Sequence, residues 1–409
     1  MTRPGSQPPV PLALGDYRWL VSDDATRWLE IARAELANQR QLSAAFVARL
    51  RKDLSAERAH LIVEQTELRQ RASAKFALAE QMFFTRRSLE QATDEAVAAC
   101  KARRIPAAGP VLDLCCGIGG DLLAWARQTK TIGVEVDPIA ALCAEANAAV
   151  HGFSPEQCSV EVADVRHMDL TISQAWHCDP DRRASGSRTS RIELGEPGLE
   201  QLERFLAGNS AAAIKLAPAA RAPPDWTDRA EFEWLGSRGE CRQQVSWFGA
   251  LAHHAGQHSA TISDAEGGPR SIVGVPGDSL PVASQLARYL YEPDASVLAA
   301  KLVNVLCEEH AVESVSAGIA YLTGDRPIDD AALATFEIVD VLPLDQKQIR
   351  AYCREHGLSR LEVKKRGVNV EIERLRKEIV AQGDNAATLI LSPVLGRPKA
   401  IVARRIVPE

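Results

Sequence analysis

The sequence lacks the features of several protein classes. Among its 409 residues, no charge-free apolar run approaches the about 18 residues that a membrane-spanning helix needs. The segment 1–11 has no apolar core of the kind found in signal peptides. The nine cysteines show neither paired Cys-x-x-Cys spacing nor Cys/His zinc spacing, which is typical of a reducing compartment. We therefore expect a soluble, cytoplasmic protein with no disulfide framework, no metal and no membrane partner.

The chain also lacks an overall positive charge, but its charges are unevenly distributed. The formal net charge is −6, whereas residues 331–409 contain 14 Lys/Arg against 10 Asp/Glu, a net charge of +4. A basic segment is where a polyanion such as nucleic acid would bind. A composition of 46% apolar and 25% charged residues is typical of a folded chain, and at roughly 150 residues per domain it allows two or three domains.

Composition and periodicity divide the chain into four parts. Residues 1–22 open with Pro, Gly and polar residues and are predicted to be disordered or draped on the surface. Residues 23–104 have the three-to-four-residue apolar spacing of helices. In residues 105–330, short apolar runs alternate with helical stretches, which predicts a doubly wound, Rossmann-like α/β domain. Residues 331–409 read as a small α+β domain.

The predicted strands of the α/β domain are short. Those of the parallel sheet lie at 111–114, 131–136, 159–162, 175–178 and 212–216. Four further runs, at 232–235, 241–248, 259–263 and 271–275, are predicted to add to it as antiparallel strands. A single helix is expected over 295–310.

A glycine-rich turn follows the first strand. Gly117-x-Gly119-Gly120 allows a ligand to approach the backbone closely, but it lacks the last glycine of the dinucleotide fingerprint. Asp113, at the end of the strand, suits a ligand with a cationic ammonium group, and Glu135, at the end of the second strand, suits a ribose diol. S-adenosylmethionine has both groups.

These residues resemble the class I S-adenosylmethionine-dependent methyltransferases. The first motif of that family, Asp-x-x-x-Gly-x-Gly, is matched by Asp113 to Gly119, and its acidic second-strand end by Glu135. The resemblance implies that Asp164, after the third strand, accepts a hydrogen bond from the adenine amino group. An Asp at a strand end is also a common helix cap.

The segment Asp179-Pro180-Asp181-Arg182 resembles the Asp-Pro-Pro-Tyr-type motif of methylases that act on exocyclic amines. The resemblance implies that the Asp179 side chain and the carbonyl after it accept hydrogen bonds from the target amine. Arg182 replaces the aromatic residue that stacks on the base, although a guanidinium can also stack on a base and pair with phosphate. The alternative for Asp179-Pro180 is a turn after a strand.

Upstream of the glycine loop, Phe84 could form a wall of the cofactor site and Thr85 could bond the methionine carboxylate. Adjacent phenylalanines, here Phe83 and Phe84, are also common as core anchors. His177 alternates on a buried strand and is predicted to be a core histidine rather than a general base.

The basic tail carries Lys364, Lys365 and Arg366 at a strand end, where they could contact phosphates; a solvated basic face is the alternative. The tail, with segments 289–294 and 319–325, resembles the THUMP-like C-terminal domain of a group of bacterial proteins assigned as RNA methyltransferases. That resemblance extends from about Arg51 to Arg405.

Together these features predict an enzyme that methylates an exocyclic amine of a base in tRNA or rRNA, using S-adenosylmethionine. Two alternatives stay open. One is a methyltransferase that acts on a protein or a small molecule, and the other is a non-catalytic RNA-binding protein with a degenerate cofactor site. The sequence does not indicate an oligomeric state.

Overall fold

The structure is a computed structural model that describes residues 13–37, 41–106, 109–181, 191–264, 268–379 and 383–406. The chain forms two compact units. The first contains the chain up to Leu216, with 220–222 and 246–252; the second contains 217–219, 223–245 and the chain from His253 onward. Among the described residues, no helix is both long and apolar enough to cross a membrane.

The first unit begins with helices. They are α1 (Leu14–Leu20), α2 (Asp23–Ala37), α3 (Ala44–Leu50), α4 (Ala56–Ala72), α5 (Arg86–Gln91) and α6 (Glu95–Ala102). The side chains of Ser43 and Ser55 cap the N-termini of α3 and α4 by accepting backbone N–H bonds. The prediction of an unstructured segment 1–22 is wrong for its last part, because Tyr17 and Leu20 of α1 are buried. Its first twelve residues lie outside the described residues.

A parallel sheet follows. Its strands are β1 (Val111–Leu114), β2 (Thr131–Glu135), β3 (Cys158–Val162), β4 (Ala175–Cys178) and β5 (Ala212–Leu216), and the helices between them are α7 (Leu122–Ala126), α8 (Pro138–Val150) and α9 (Leu199–Gly208). The strand order is β3-β2-β1-β4-β5, and all four pairings are parallel. This is the predicted Rossmann-like fold. The carboxyl ends of all five strands therefore meet at one edge, where ligands bind in such folds.

The N-terminal helices share one hydrophobic core with the parallel-sheet part of the first unit. Leu29 and Ile62 belong to the same buried cluster as Leu122 and Cys143. The buried Asn147 of α8 strengthens this connection, because its amide donates both to the carbonyl of Phe83 and to that of Ile118 in the glycine loop (both 3.0 Å). The helices thus support the loop from one side.

The second unit contains β6 (Ala230–Ser237), β8 (His258–Ile262) and β9 (Arg270–Gly274); β7 (Glu240–Phe248) ends in residues of the first unit. The prediction that these additions are antiparallel is wrong for β6 and β8, which pair in parallel. The connection between them contains β7 and is long enough for the crossover that parallel pairing requires. Strands β8 and β9 are antiparallel.

A seven-stranded sheet forms the rest of the second unit. It is built from β10 (Tyr289–Pro293), β11 (Glu313–Ser314), β12 (Leu322–Gly324), β13 (Leu333–Pro343), β14 (Leu358–Lys365), β15 (Asn385–Val394) and β16 (Arg397–Arg405), with helices α10 (Ala295–Ala300), α11 (Val303–His310), α12 (Gln346–Glu355) and α13 (Ile372–Glu378). The order is β11-β12-β10-β13-β16-β15-β14, with β14 and β15 in parallel and the other pairs antiparallel.

The C-terminal α+β architecture is as predicted, with one difference upstream of it. The helix predicted over 295–310 is interrupted, because Lys301 adopts a left-handed conformation (φ 58°) that ends α10. Ile349 of α12 and Leu375 of α13 are buried in one core cluster with Leu389 of β15. The domain boundaries at 104/105 and 330/331 stay predictions.

Candidate functional site

The glycine loop lies at the carboxyl end of β1. Gly117 and Gly119 have positive φ (57° and 91°), a conformation that glycine adopts at little cost. A Cβ on Gly117 would meet no atom within 4 Å, so this residue faces open space. Gly119 lies against Leu123 and Ala144 instead, and lets the following helix pack closely. The two predicted cofactor glycines therefore differ: Gly117 faces open space, and Gly119 packs against the following helices.

Glu135, at the end of β2, is tied to this loop. Its carboxylate accepts the backbone N–H of Gly117 (2.8 Å) and that of Asp137 (3.0 Å). Burial raises the pKa of the Glu135 carboxyl, and the two backbone N–H bonds oppose this shift. A carboxylate has about four lone-pair positions, so these bonds do not exhaust its capacity to accept a hydroxyl group. The diol-binding role of Glu135 stays a prediction, which this geometry permits.

Asp113 does not reach the surface. Its side chain is 1% exposed, and its Oδ1 is 2.6 Å from Nδ1 of His177, which is itself fully buried. Burial raises the pKa of Asp113, and the neighbouring His177 acts in the opposite direction. The predicted contact between Asp113 and a ligand ammonium is therefore wrong for this conformation, because the Asp113 carboxylate is buried and cannot reach a ligand. His177 is a core histidine as predicted, although its Nε2 has no hydrogen-bond partner in the described part of the chain.

Asp164 follows β3, and its carboxylate is held by Arg166. The guanidinium of Arg166 bonds both carboxylate oxygens, and the Arg166 backbone N–H bonds one of them (2.9 Å). These bonds lower the pKa of Asp164 to about 2. Asp164 also caps a short 3-10 helix. It can accept from an adenine amino group only by sharing its oxygens with Arg166.

Two exposed apolar side chains lie at this edge of the sheet, and neither is among the predicted site residues. Val136 and Val162 are 69% and 59% exposed, at the carboxyl ends of neighbouring strands β2 and β3. The register pairs Val162 with Glu135, so Val162 lies on the same face of the sheet as Glu135, whereas Val136 is one residue further along the chain. Each is an exposed apolar side chain at the edge of the parallel sheet where ligands bind. In the sequence, Val136 directly follows Glu135, and Val162 lies two residues before Asp164.

Phe84 and Thr85 have structural partners. Phe84 is 1% exposed, and its ring lies 5.9 Å from that of Phe76. Because it presents no surface, Phe84 is a core anchor in this conformation, which was the alternative to a cofactor wall. The Thr85 hydroxyl caps α5 by accepting the N–H of Ser88 (3.1 Å), and it donates to the Ser88 hydroxyl. A bond from Thr85 to a ligand carboxylate would compete with that second contact.

Asp179 lies directly after β4, next to the start of the glycine loop. Its backbone N–H donates to the carbonyl of Leu114 (3.2 Å), the last residue of β1. Its side chain is 24% exposed and forms an ion pair with the buried Lys215 (2.5 Å). Pro180 is buried. Asp179 and Pro180 are among the predicted site residues, whereas Lys215 is not.

The next residues of this segment face α5. The carboxylate of Asp181 is bonded by the side chains of Arg87 (2.5 Å) and Gln91 (3.1 Å). Asp181 therefore connects the segment to α5. Arg182, the predicted base-stacking residue, lies outside the described residues.

The predicted phosphate-binding residues in the second unit already have protein partners. Lys364 forms an ion pair with Glu292 (2.6 Å), and the guanidinium of Arg366 lies over the ring of Tyr321 (4.8 Å). The exposed Lys365 donates to the carbonyl of Val370 (2.8 Å). Contact with an RNA phosphate would require these cations to exchange or share partners.

Within the described residues, one cluster could hold a metal ion, formed by Glu309, His310 and Asp330. The guanidinium of Arg270 bonds both carboxylates of this cluster. Because a cation already balances their charge, we assign this group to the stability of the second unit.

Comparisons with known proteins agree with this architecture. Residues 333–405 match the family model described as THUMP domain-like. Over 352 residues the chain is 29% identical to a protein found in two strains of Mycobacterium tuberculosis and named in both an uncharacterised S-adenosylmethionine-dependent methyltransferase. This alignment covers 83% of the chain and 94% of the relative. The chain is a class I S-adenosylmethionine-dependent methyltransferase with a THUMP-like domain.

The fold of this methyltransferase is also similar to a crystal structure of a candidate methyltransferase from Porphyromonas gingivalis W83. The TM-score is 0.74 at 17% identity, over 94% of this chain and 99% of the other. At this level of identity the likeness concerns the fold alone.

The residues of the methyltransferase fit its cofactor. Gly117 faces open space, and Glu135 keeps lone pairs for a diol. Val136, directly after Glu135, and Val162 are exposed apolar side chains at the same sheet edge. The predicted fold class and cofactor are therefore confirmed, whereas the roles of the individual site residues stay predictions.

Proposed function

We propose that this methyltransferase transfers the methyl group of S-adenosylmethionine to an exocyclic amine of a base in tRNA or rRNA, with Asp179 and Pro180 binding the acceptor amine. The observation that carries the proposal is the position of Asp179. Its backbone is bonded to Leu114, directly before the glycine loop, and its carboxylate is partly exposed beside groups that are buried. An amine bound there would lie close to a cofactor held by Gly117 and Glu135.

The chemistry that the chain must supply is modest. The cofactor provides a methyl group on a sulfonium, so a neutral amine needs chiefly alignment and desolvation. The Asp179 carboxylate can accept a hydrogen bond from the amine and orient the nitrogen lone pair. The carbonyl of Pro180 can accept the second N–H. During transfer the nitrogen–carbon bond forms as the carbon–sulfur bond breaks, and the amine releases one proton, for which Asp179 is the nearest carboxylate in the proposed complex.

Support for RNA as the acceptor comes from the second unit. It contains the THUMP-like residues 333–405, and residues 331–409 have a net charge of +4. Because nucleic-acid affinity depends on cations that replace counterions, such a surface favours a polyanion.

A second candidate, a protein or small-molecule acceptor, is favoured by the ion pair of Lys364 with Glu292, which removes one predicted phosphate contact. Binding to RNA decides between the two. If the purified protein fails to bind RNA at low salt, the second candidate replaces the first.

The decisive experiment compares the nucleosides of total RNA from a deletion strain with those of its parent by mass spectrometry. Purified protein and labelled S-adenosylmethionine are then added back to the RNA of the deletion strain. We expect one methylated nucleoside to be lost in the deletion and restored by the protein. If no nucleoside changes while the protein binds the cofactor, RNA is not the acceptor.

The role of Asp179 is tested with Asp179→Ala and with the matched variant Asp53→Ala, which changes an exposed aspartate elsewhere in the first unit. We expect Asp179→Ala to lower the transfer rate by at least about 100-fold, because the amine loses its alignment. Its affinity for the cofactor and the behaviour of Asp53→Ala should equal those of the wild type. An equal loss of transfer and cofactor binding in Asp179→Ala would refute the assignment.

A further inference from the structure

Lys215 is a buried lysine at the end of β5. Its side chain is 6% exposed, and its ammonium has three acceptors: Oδ2 of Asp179 (2.5 Å), Oγ1 of Thr93 (3.1 Å) and the carbonyl of Gln91 (3.4 Å). An ammonium has three N–H donors, and here each donor has a partner. The position of the ammonium is therefore fixed from three directions.

The chain of contacts continues beyond Lys215. The Thr93 hydroxyl donates to Oδ2 of Asp121 (2.7 Å), and Oδ1 of Asp121 lies 2.6 Å from the ammonium of Lys101. Lys101 is fully buried and Asp121 is 6% exposed. Because burying an unpaired charge is costly, Lys101 and Asp121 are each buried beside a group of opposite charge. Two ammonium groups thus alternate with two carboxylates, and a hydroxyl bridges the middle.

This series of contacts runs from the cofactor loop to the residue assigned to the acceptor amine. Asp121 follows Gly119 and Gly120 directly, so it belongs to the end of the cofactor loop. The backbone of Thr93 packs tightly on that loop, since a Cβ on Gly120 would lie 2.9 Å from the Thr93 carbonyl. At the other end, Asp179 is the residue that we assign to the acceptor amine. The contacts from Asp121 through Thr93 and Lys215 to Asp179 therefore connect the cofactor loop to the acceptor residue.

We propose that Lys215 is a positioning residue for methyl transfer, which holds the Asp179 carboxylate at a fixed place relative to the cofactor loop. This inference rests on the function proposed above. Lys215 binds Oδ2 of Asp179, and we assign the amine to Oδ1. Without Lys215 the partly exposed carboxylate is free to turn towards solvent, and the amine loses its alignment with the methyl group.

The main variant is Lys215→Met, which keeps the unbranched part of the side chain as far as Cε and removes the charged ammonium. Lys215→Arg is the conservative variant, and Lys130→Met, at an exposed lysine of the same unit, is the matched control. The probe is total RNA from the deletion strain with labelled S-adenosylmethionine. We expect Lys215→Met to lower kcat about 10- to 100-fold, the effect of a displacement near 1 Å. Cofactor affinity should stay within about twofold of wild type, and Lys215→Arg should recover part of kcat.

A double-mutant comparison separates positioning from general stability. If Lys215 acts through Asp179, then Lys215→Met added to Asp179→Ala should lower kcat no further, because the two effects are not additive. Additive losses, or unchanged kcat in Lys215→Met, would overturn the proposal. Undiminished transfer by Asp179→Ala alone would instead overturn the proposed function.

Crystal structures supply a readout that needs no acceptor. We expect the Asp179 carboxylate of Lys215→Met to differ from that of the wild type by more than about 1 Å, the scale at which alignment matters. In Lys215→Arg it should keep its place. A carboxylate that stays fixed in Lys215→Met would refute the positioning role, whatever the acceptor is.

Discussion

Replacing Gly117 by alanine tests which residue faces the cofactor. Gly117 has φ 57°, and a Cβ there would meet no atom within 4 Å. The substitution therefore has two separable effects. The left-handed conformation costs an alanine about 1–2 kcal/mol of folding free energy. The new methyl group also occupies the open space that we assign to the ligand.

The chain offers a matched control for the first effect. Gly152, after α8, has φ 78°, and a Cβ there also has no neighbour within 4 Å. Both alanine variants should lose about 1–2 kcal/mol of stability, measured by urea unfolding of the two proteins beside the wild type. Only Gly117→Ala should also weaken the binding of S-adenosylmethionine, by at least about tenfold, which corresponds to about 1.4 kcal/mol in calorimetry.

Two outcomes would refute this reasoning. If Gly117→Ala binds the cofactor as tightly as the wild type, the open space beside Gly117 is not the ligand site. If Gly152→Ala loses affinity to the same extent, the loss reflects backbone strain in the first unit and carries no information about contact.

Two further predictions concern stability. Phe84→Ala should destabilise the first unit by about 3–5 kcal/mol, because it removes a buried ring. Phe84→Leu should bind the cofactor with an affinity within about threefold of wild type. A selective loss of cofactor affinity in Phe84→Leu would restore the role of Phe84 as a cofactor wall. Burial acts to raise the pKa of Asp330, but hydrogen bonds from Arg270 and His310 outweigh it, so the pKa is lowered. The stabilisation by the Asp330 carboxylate is therefore present above about pH 4 and is lost as the pH falls. Asp330→Asn should therefore destabilise the protein by about 1–3 kcal/mol at pH 7 but less at pH 3. The control Asp329→Asn, at the exposed neighbour, should not show this dependence. A loss of stability in Asp330→Asn that is the same at both pH values would contradict the prediction.

The parallel sheet could be predicted because its signals are local. The runs 111–114, 175–178 and 212–216 coincide with β1, β4 and β5, since a buried strand is a short apolar segment bounded by breakers. The break at Lys301 could not be predicted in this way. A lysine in the left-handed region has no local signature, and tertiary packing imposes it.

The candidate site also contains features that could be predicted from the sequence and features that could not. Gly117 and Glu135 could be found because the turn and the strand end are each encoded by a few consecutive residues. The enclosure of Asp113 by His177 could not, because it joins residues that are far apart in the sequence through the pairing of β1 with β4. Motif spacing identifies which residues surround a ligand site. It does not show which of their side chains are covered.

Lys215 is absent from the predicted site residues, although the sequence contained a signal for it. The run 212–216 was read as an apolar strand, although it contains a lysine at its fourth position. A lysine in a buried strand is rare unless it is paired, so Lys215 by itself predicts an acidic partner. The parallel register pairs Cys178 of β4 with Ile214 of β5, which brings Asp179 beside Lys215. Sheet topology and charge balance, taken together, therefore indicate Asp179 as the partner of Lys215.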